Sequence, residues 1–309
     1  TGMVVLQAES EVSSINMVYG GASCGKKVMT SSSSPGYSLM QEGMSYLAGA
    51  ELPCVVVNVS RGGPGLGTIQ PSQADYFQVT KGGGHGDYKV IALAPNSVQE
   101  MNDFVTLAFD LAFKYRIPAV ILSDGAIGQM MEKVELSDYV PRLTEDEIRE
   151  KYGDWCTIGS KNHRFVTSLE LDSTIMEQRN IHLQKKYDLI CANEVRYEEY
   201  MTEDADYLFV AFGTCSRICK KAIEMAREEG IKVGLFRPIT LFPFPTVQLK
   251  ELGQKMKGIL SVEMNAGQMI EDVKLAVECK VPVEFAGRNG GIIPSPDEIL
   301  CALKEKLVR

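Results

Sequence analysis

This sequence of 309 residues has no apolar run near the ~18 residues a membrane helix needs, and Thr1-Gly2-Met3 opens no basic segment of a secretory signal. Membrane-spanning and exported classes are therefore set aside, and a cytoplasmic protein is expected. Positive charge is scarce as well. With a net charge of −8, the surface field repels phosphate tracks and anionic headgroups, so no nucleic-acid or membrane partner is expected. Eight cysteines are present, but no C-x-x-C pair, which in a chain of this kind suggests reduced core thiols. Cys215 and Cys219 stand four apart on a predicted helix and could share a metal. Their neighbours Phe212, Ile218 and Ile223 favour packing, so no metal site is expected and any iron–sulfur cluster must come from elsewhere. Internal repeats and low-complexity tracts are also missing.

What is present is an alternation of strand and helix signals. Short apolar runs at 3–8, 26–31, 53–59, 88–94 and 118–123 lack the period of two expected of a sheet facing water, and predict buried parallel strands. Helices are predicted at 12–24, 36–51, 71–80 and 97–115, the last with a capping box formed by Ser97 and Glu100. The pattern dissolves into charged sequence over 137–202, predicting an excursion and interdomain connection. It then resumes with strands at 207–212, 232–236, 258–262 and 281–285 and helices at 215–229, 245–256, 267–280 and 296–308. The expected fold is α/β, with two doubly wound parallel-sheet domains over 1–136 and 203–309.

In open α/β sheets, ligands sit beyond the carboxyl ends of the strands. Three features fall at such ends. Glu11, after Glu9, follows the first apolar run, and a carboxylate in a partly apolar crevice suits acid–base work on a heterocycle, although most strand-end acids are simply solvated. The hydroxyl-rich segment Ser31-Ser32-Ser33-Ser34-Pro35-Gly36 follows the second run as a predicted turn. Arg61 follows the third and opens Gly62-Gly63-Pro64-Gly65. A guanidinium there suits two-pronged capture of a carboxylate, against the alternative of a surface salt bridge. These glycines make a weak dinucleotide fingerprint, because no helix follows at once. His85, in Gly82-Gly83-Gly84-His85-Gly86-Asp87, can act as donor or acid or make a structural hydrogen bond. Asp124-Gly125 reads as a turn.

The runs from Glu11 to Gly20, from Thr30 to Glu42 and from Ser60 to Pro64 together resemble the pyrimidine-binding domain of 2-oxoacid:ferredoxin oxidoreductases. Residues 203–309, with Phe236-Arg237-Pro238-Ile239-Thr240, resemble that family's transketolase C-terminal-like domain, and the segment 62–89 is closest to the branched-chain (2-ketoisovalerate) members. The resemblance implies a thiamine-diphosphate enzyme that decarboxylates a 2-oxoacid, forms an acyl-CoA and passes electrons to ferredoxin. It implies that Glu11 contacts the pyrimidine ring nitrogen, that Ser31, Ser32, Ser33, Ser34, Pro35 and Gly36 line the pyrimidine pocket, and that Arg61 binds the substrate carboxylate. His85 is a further candidate. Family members carry about fifty residues upstream, so the chain is expected to be N-terminally truncated. The Gly-Asp-Gly…Asn motif that binds magnesium and diphosphate in this family does not occur here. The resemblance therefore implies a partner subunit sharing the cofactor and holding Mg2+, together with a gamma-type subunit and a ferredoxin-like subunit bearing the iron–sulfur clusters. A 2-oxoglutarate-specific member and a non-catalytic assembly subunit are the alternatives.

Overall fold

The computed structural model describes residues 2–158 and 165–308; Thr1, Arg309 and residues 159–164 of the predicted excursion lie outside the described residues. The first half comprises α1 (Glu11–Ser23), β1 (Met29–Ser33), α2 (Ser34–Leu39), α3 (Gln41–Gly49), β2 (Cys54–Ser60), α4 (Tyr76–Thr80), β3 (Ile91–Leu93), α5 (Val98–Tyr115), β4 (Pro118–Asp124) and α6 (Gly125–Gln129). After α7 (Glu145–Tyr152) and α8 (Ser173–Asn193) come β5 (Tyr197–Tyr200), β6 (Tyr207–Val210), α9 (Gly213–Glu228), β7 (Val233–Pro238), β8 (Thr240–Phe242), α10 (Thr246–Gly253), β9 (Gly258–Glu263), α11 (Met269–Ala276), β10 (Val283–Gly287) and α12 (Pro296–Lys306).

Among the described residues these strands form two five-stranded sheets, ordered β1-β2-β4-β3-β8 and β10-β9-β6-β7-β5. Each is parallel except for one antiparallel edge strand, β8 beside β3 and β5 beside β7. The inner parallel strands are buried on both faces because helices cover both; every residue of β4, β7 and β9 is buried. The α/β class with two parallel-dominated sheets is thus as expected.

Several element expectations fail for identifiable reasons. Residues 3–8 form no strand, and Met3, Val4, Val5 and Leu6 are 67–77% exposed. An apolar run becomes a strand only where a neighbouring backbone takes its N–H and C=O groups, and β1 is the edge of its sheet. The predicted helix at 36–51 breaks at Met40, whose N–H bonds three residues back to Tyr37. The one at 71–80 begins only at Tyr76, because Ser72, Gln73 and Ala74 spend their polar groups on Met264, Asn265 and Gln268 across the molecule. The capping box before α5 is half made. Ser97 Oγ accepts from Glu100 N, but the Glu100 carboxylate turns to Asn96 N and to Arg237. The charged stretch 137–202 holds the 21-residue α8, whose buried Leu183, Lys186, Tyr187 and Ile190 repeat at helical spacing. A lysine on that face hid the pattern. Lys186 is nonetheless satisfied there by Glu51 at 2.8 Å.

The two sheets are locked by buried polar joints. Asp124 caps α6 through Ala126 N and Ile127 N and also accepts from Thr214 Oγ1 at 2.8 Å. Burial pushes its carboxyl above the ordinary value, and Thr214 and the backbone amides hold it back. Arg237, 2% exposed, pairs with Glu100 and Glu198.

Candidate functional site

The segments that follow β1, β2 and β4, respectively α2, the loop from Arg61 and α6, lie along one edge of the first sheet, the carboxyl edge. Glu11 stands beside that edge in the first turn of α1, a position that suits a carboxylate. It is half-buried, and its Oε1 accepts from Ser32 Oγ at 3.3 Å. Glu9 is exposed. The hydroxyl run is not the predicted turn. Residues through Ser33 lie in β1, and Ser34, Pro35 and Gly36 are the first turn of α2, with proline in the place where a missing N–H costs nothing. This conversion keeps the hydroxyls in a fixed row instead of a loop. Gly36 is required by space. A Cβ there would stand 2.0 Å from Ser32 Oγ and 2.6 Å from Glu11 Oε1. Glu11, Ser32 and Gly36 are therefore brought together, whereas Ser31 is exposed at the sheet edge.

Arg61 leaves β2 at a bridge to Pro71, and its backbone N–H donates to Ser34 Oγ at 2.9 Å. Ser34 Oγ in turn donates to Asp75 Oδ2 at 2.5 Å, and Asn58 Nδ2 donates to the same oxygen at 2.9 Å. Three polar atoms at the carboxyl end of β2, Asn58 Oδ1, Ser60 Oγ and Arg61 Nε, are buried without a hydrogen-bond partner. Buried polar groups are normally satisfied, so such a group of orphans marks a place built for something else to bind. The loop after Arg61 packs tightly against the second half of the molecule, since a Cβ on Gly62 would lie 2.8 Å from the Gly290 carbonyl carbon.

His85 is not brought to this group. It is exposed on its loop, which is tied down instead by Gly84 N donating to Tyr88 Oη at 3.0 Å, and no hydrogen bond among the described residues joins it to Glu11 or Arg61. Cys215 and Cys219 are fully buried core residues whose thiols burial pushes upward. The residues missed from sequence are Asn58 and Asp75. A single amide inside Cys54-Val55-Val56-Val57-Asn58-Val59 was the available signal, because an unneeded polar group in a buried strand is costly. Asp75 had none, since its partners lie 17 and 41 residues away.

Among the described residues no helix is long and apolar enough to cross a membrane. Residues 1–191 match the family described as pyruvate flavodoxin/ferredoxin oxidoreductase, thiamine diphosphate-binding, and residues 205–299 match pyruvate:ferredoxin oxidoreductase core domain II. The chain is 51% identical to the ketoisovalerate oxidoreductase subunit VorB of Methanothermobacter marburgensis, over 98% of this chain and 85% of that protein. It is 37% identical to the 2-oxoglutarate synthase subunit KorA of Methanocaldococcus jannaschii, over 96% and 86% respectively. Among solved structures it resembles the 2-oxoglutarate:ferredoxin oxidoreductase from Magnetococcus marinus with 2-oxoglutarate, coenzyme A and succinyl-CoA bound, at 25% identity and a TM-score of 0.81. The match covers 99% of this chain and spans 57% of that one.

Proposed function

The chain belongs to the pyruvate flavodoxin/ferredoxin oxidoreductase family of thiamine-diphosphate-binding proteins, and from that premise we propose that it is the alpha-type subunit of an oxidoreductase acting on the branched-chain 2-oxoacid 2-ketoisovalerate. The reaction converts the 2-oxoacid and coenzyme A to an acyl-CoA and CO2, with two electrons passing to ferredoxin. The observation that carries this reading is the juxtaposition, on one sheet edge, of the half-buried Glu11 against Ser32 and Gly36 with an Arg61 whose Nε is buried and unpartnered.

The residues fit the cofactor's pyrimidine end. Gly36 lets its backbone lie against Glu11 and Ser32 where a Cβ would clash, Ser32, Ser33, Ser34 and Pro35 follow on into the first turn of α2, and Ser31 stands exposed at the sheet edge. Bound thiamine diphosphate supplies the electron sink for loss of CO2 from the 2-oxoacid. Glu11 holds a proton at a carboxylate oxygen against the ring nitrogen, and Ser32 orients that carboxylate. Arg61 offers its fork of N–H donors to the substrate carboxylate, which satisfies the orphaned Nε. His85 is left as an exposed residue of its own loop, away from Glu11 and Arg61 in the hydrogen-bond network.

We read a pyrimidine-binding unit at 1–136, a connection at 137–202 and a transketolase C-terminal-like unit at 203–309; the family matches, over 1–191 and 205–299, support the start of the last unit, while the first match runs on past 136. The missing Gly-Asp-Gly motif supports a partner subunit that shares the cofactor and holds Mg2+, and a chain without C-x-x-C pairs supports iron–sulfur clusters on partner subunits. A gamma-type subunit, a ferredoxin-like subunit and a cytoplasmic location complete the reading. For 2-oxoglutarate, the relatives of that name stand at 35–37% identity against 49–51% for the ketoisovalerate ones. The test is viologen reduction by the purified complex with coenzyme A and each 2-oxoacid in turn. The highest kcat/KM is expected for 2-ketoisovalerate, and a preference for 2-oxoglutarate would replace it with the second reading.

A further inference from the structure

Ser34 has one hydroxyl proton and two acceptors in reach, the Asp75 carboxylate at 2.5 Å and the Arg61 carbonyl at 3.3 Å. The shorter, charge-assisted bond takes the proton. The hydroxyl lone pairs are then left to accept the Arg61 backbone N–H at 2.9 Å. Asp75 is held in turn by Asn58 Nδ2, and Asn58 is wholly buried within β2.

A plainer role for Asp75 is available, because it occupies the N-cap of α4, where aspartate ordinarily accepts from the helix's first amides. It makes no such bond here. The carboxylate instead faces Ser34 and Asn58. Meanwhile no hydrogen bond or ion pair among the described residues holds the Arg61 guanidinium, and its Nε is buried without a partner. What sets the guanidinium's place is therefore its backbone, which is tied at one side by the bridge to Pro71 and at the other by the Ser34 hydroxyl.

We infer that Asp75 is a positioning residue for Arg61: anchored by Asn58, its carboxylate orients the Ser34 hydroxyl that clamps the Arg61 amide, and so tunes binding of the substrate carboxylate. This rests on the assignment of Arg61 given under the proposed function. Asp75 touches neither substrate nor cofactor in this scheme. In D75N an uncharged amide oxygen stands where Oδ2 faced both donors, so the charge that drew the Ser34 proton is gone and the proton is released toward the Arg61 carbonyl. In S34A the clamp is gone altogether.

The experiment compares D75N, S34A, the double variant and R61K in the oxidoreductase assembled with its partner subunits. For D75N, KM for 2-ketoisovalerate is expected to rise about tenfold with kcat within threefold of wild type and thiamine diphosphate affinity unchanged. S34A should give at least the same KM rise, with kcat and cofactor affinity scored in D75N only because Ser34 itself lines the pyrimidine pocket, and KM in the double variant should rise no further than in S34A, since both act through one link. A structural role would instead lower cofactor affinity and thermal stability together. KM within twofold of wild type in both single variants, additive KM effects in the double variant, or a parallel loss of cofactor affinity in D75N would overturn the inference. If D75N does not assemble, S34A decides by KM alone, as it removes a single oxygen. An unchanged KM in R61K would withdraw the Arg61 assignment itself. A raised KM in R61K beside wild-type D75N and S34A would sink only the positioning role.

Discussion

Replacing Gly36 with alanine tests whether the place of the Glu11 carboxylate matters. The new methyl group would stand 2.6 Å from Glu11 Oε1 and 2.0 Å from Ser32 Oγ. Ordinary contacts lie near ~3.5 Å, so the carboxylate must withdraw by about 0.9 Å (3.5 − 2.6) and the hydroxyl by about 1.5 Å (3.5 − 2.0). Both atoms are at the far ends of rotatable side chains. They can turn away without moving backbone, and the Ser32–Glu11 bond, already at 3.3 Å, is then lost. Gly36 lies in the first turn of α2 with an ordinary helical backbone, where alanine gains up to ~1 kcal/mol of propensity. That gain is similar to the ~1 kcal/mol expected from one lost hydrogen bond, so folding stability should change by less than about 1 kcal/mol. Catalysis should not be spared, because a ~1 Å misplacement of a reacting group can cost ~100-fold. The assay pairs kcat from viologen reduction by the assembled complex with a thermal melt of the same preparation. A Gly36→Ala complex with wild-type turnover would refute the argument that this carboxylate must sit against Gly36, and a complex that does not fold would refute the claim that only side-chain ends are in the way.

Glu11→Gln keeps the volume but not the acidic proton, so hydrogen–deuterium exchange at the cofactor's C2 should slow by at least ~100-fold, while the exposed Glu9→Gln serves as control and should exchange normally. Arg61→Lys should weaken 2-oxoacid binding by about 1–3 kcal/mol with cofactor occupancy intact, read as a rise in KM. Arg237→Met leaves Glu100 and Glu198 facing each other without their buried cation, and should cost roughly 3–5 kcal/mol in denaturant unfolding. The same joint predicts acid sensitivity: burial acts to raise the Glu198 carboxyl, but hydrogen bonds from Lys220 and Arg237 outweigh it and hold it below its ordinary value of 4.5. Its contribution to stability is thus complete above that value and is lost as pH falls through the depressed one; a wild-type unfolding midpoint that stays flat on acidification over that range, or an Arg237→Met variant that tracks it in parallel, would contradict this.

The alternation of short Val- and Ile-rich runs with helical segments was enough to determine the α/β class and most elements, because a parallel strand covered on both faces must be apolar throughout, and β2, β4, β7 and β9 read so directly. Glu11, Ser32, Gly36 and Arg61 could be named from sequence for a related reason. Ser32, Gly36 and Arg61 lie at or next to strand ends, where ligands of such sheets bind, whereas Glu11 was singled out behind an apolar run that forms no strand and reaches Ser32 from the first turn of α1. Other features depended on partners far along the chain. Whether residues 3–8 form a strand depends on a neighbouring backbone, not on their own apolar character, and α8 was obscured because Lys186 is neutralised by Glu51, 135 residues away. The same holds for the edge strand β8, which leaves the second half of the chain to pair with β3, and for Asn58 and Asp75, whose value lies in atoms that meet only after α2, β2 and α4 have packed. Local pattern determines which face of an element is apolar; which polar atoms are left without partners, and hence where a ligand is held, is decided only when the chain has closed on itself.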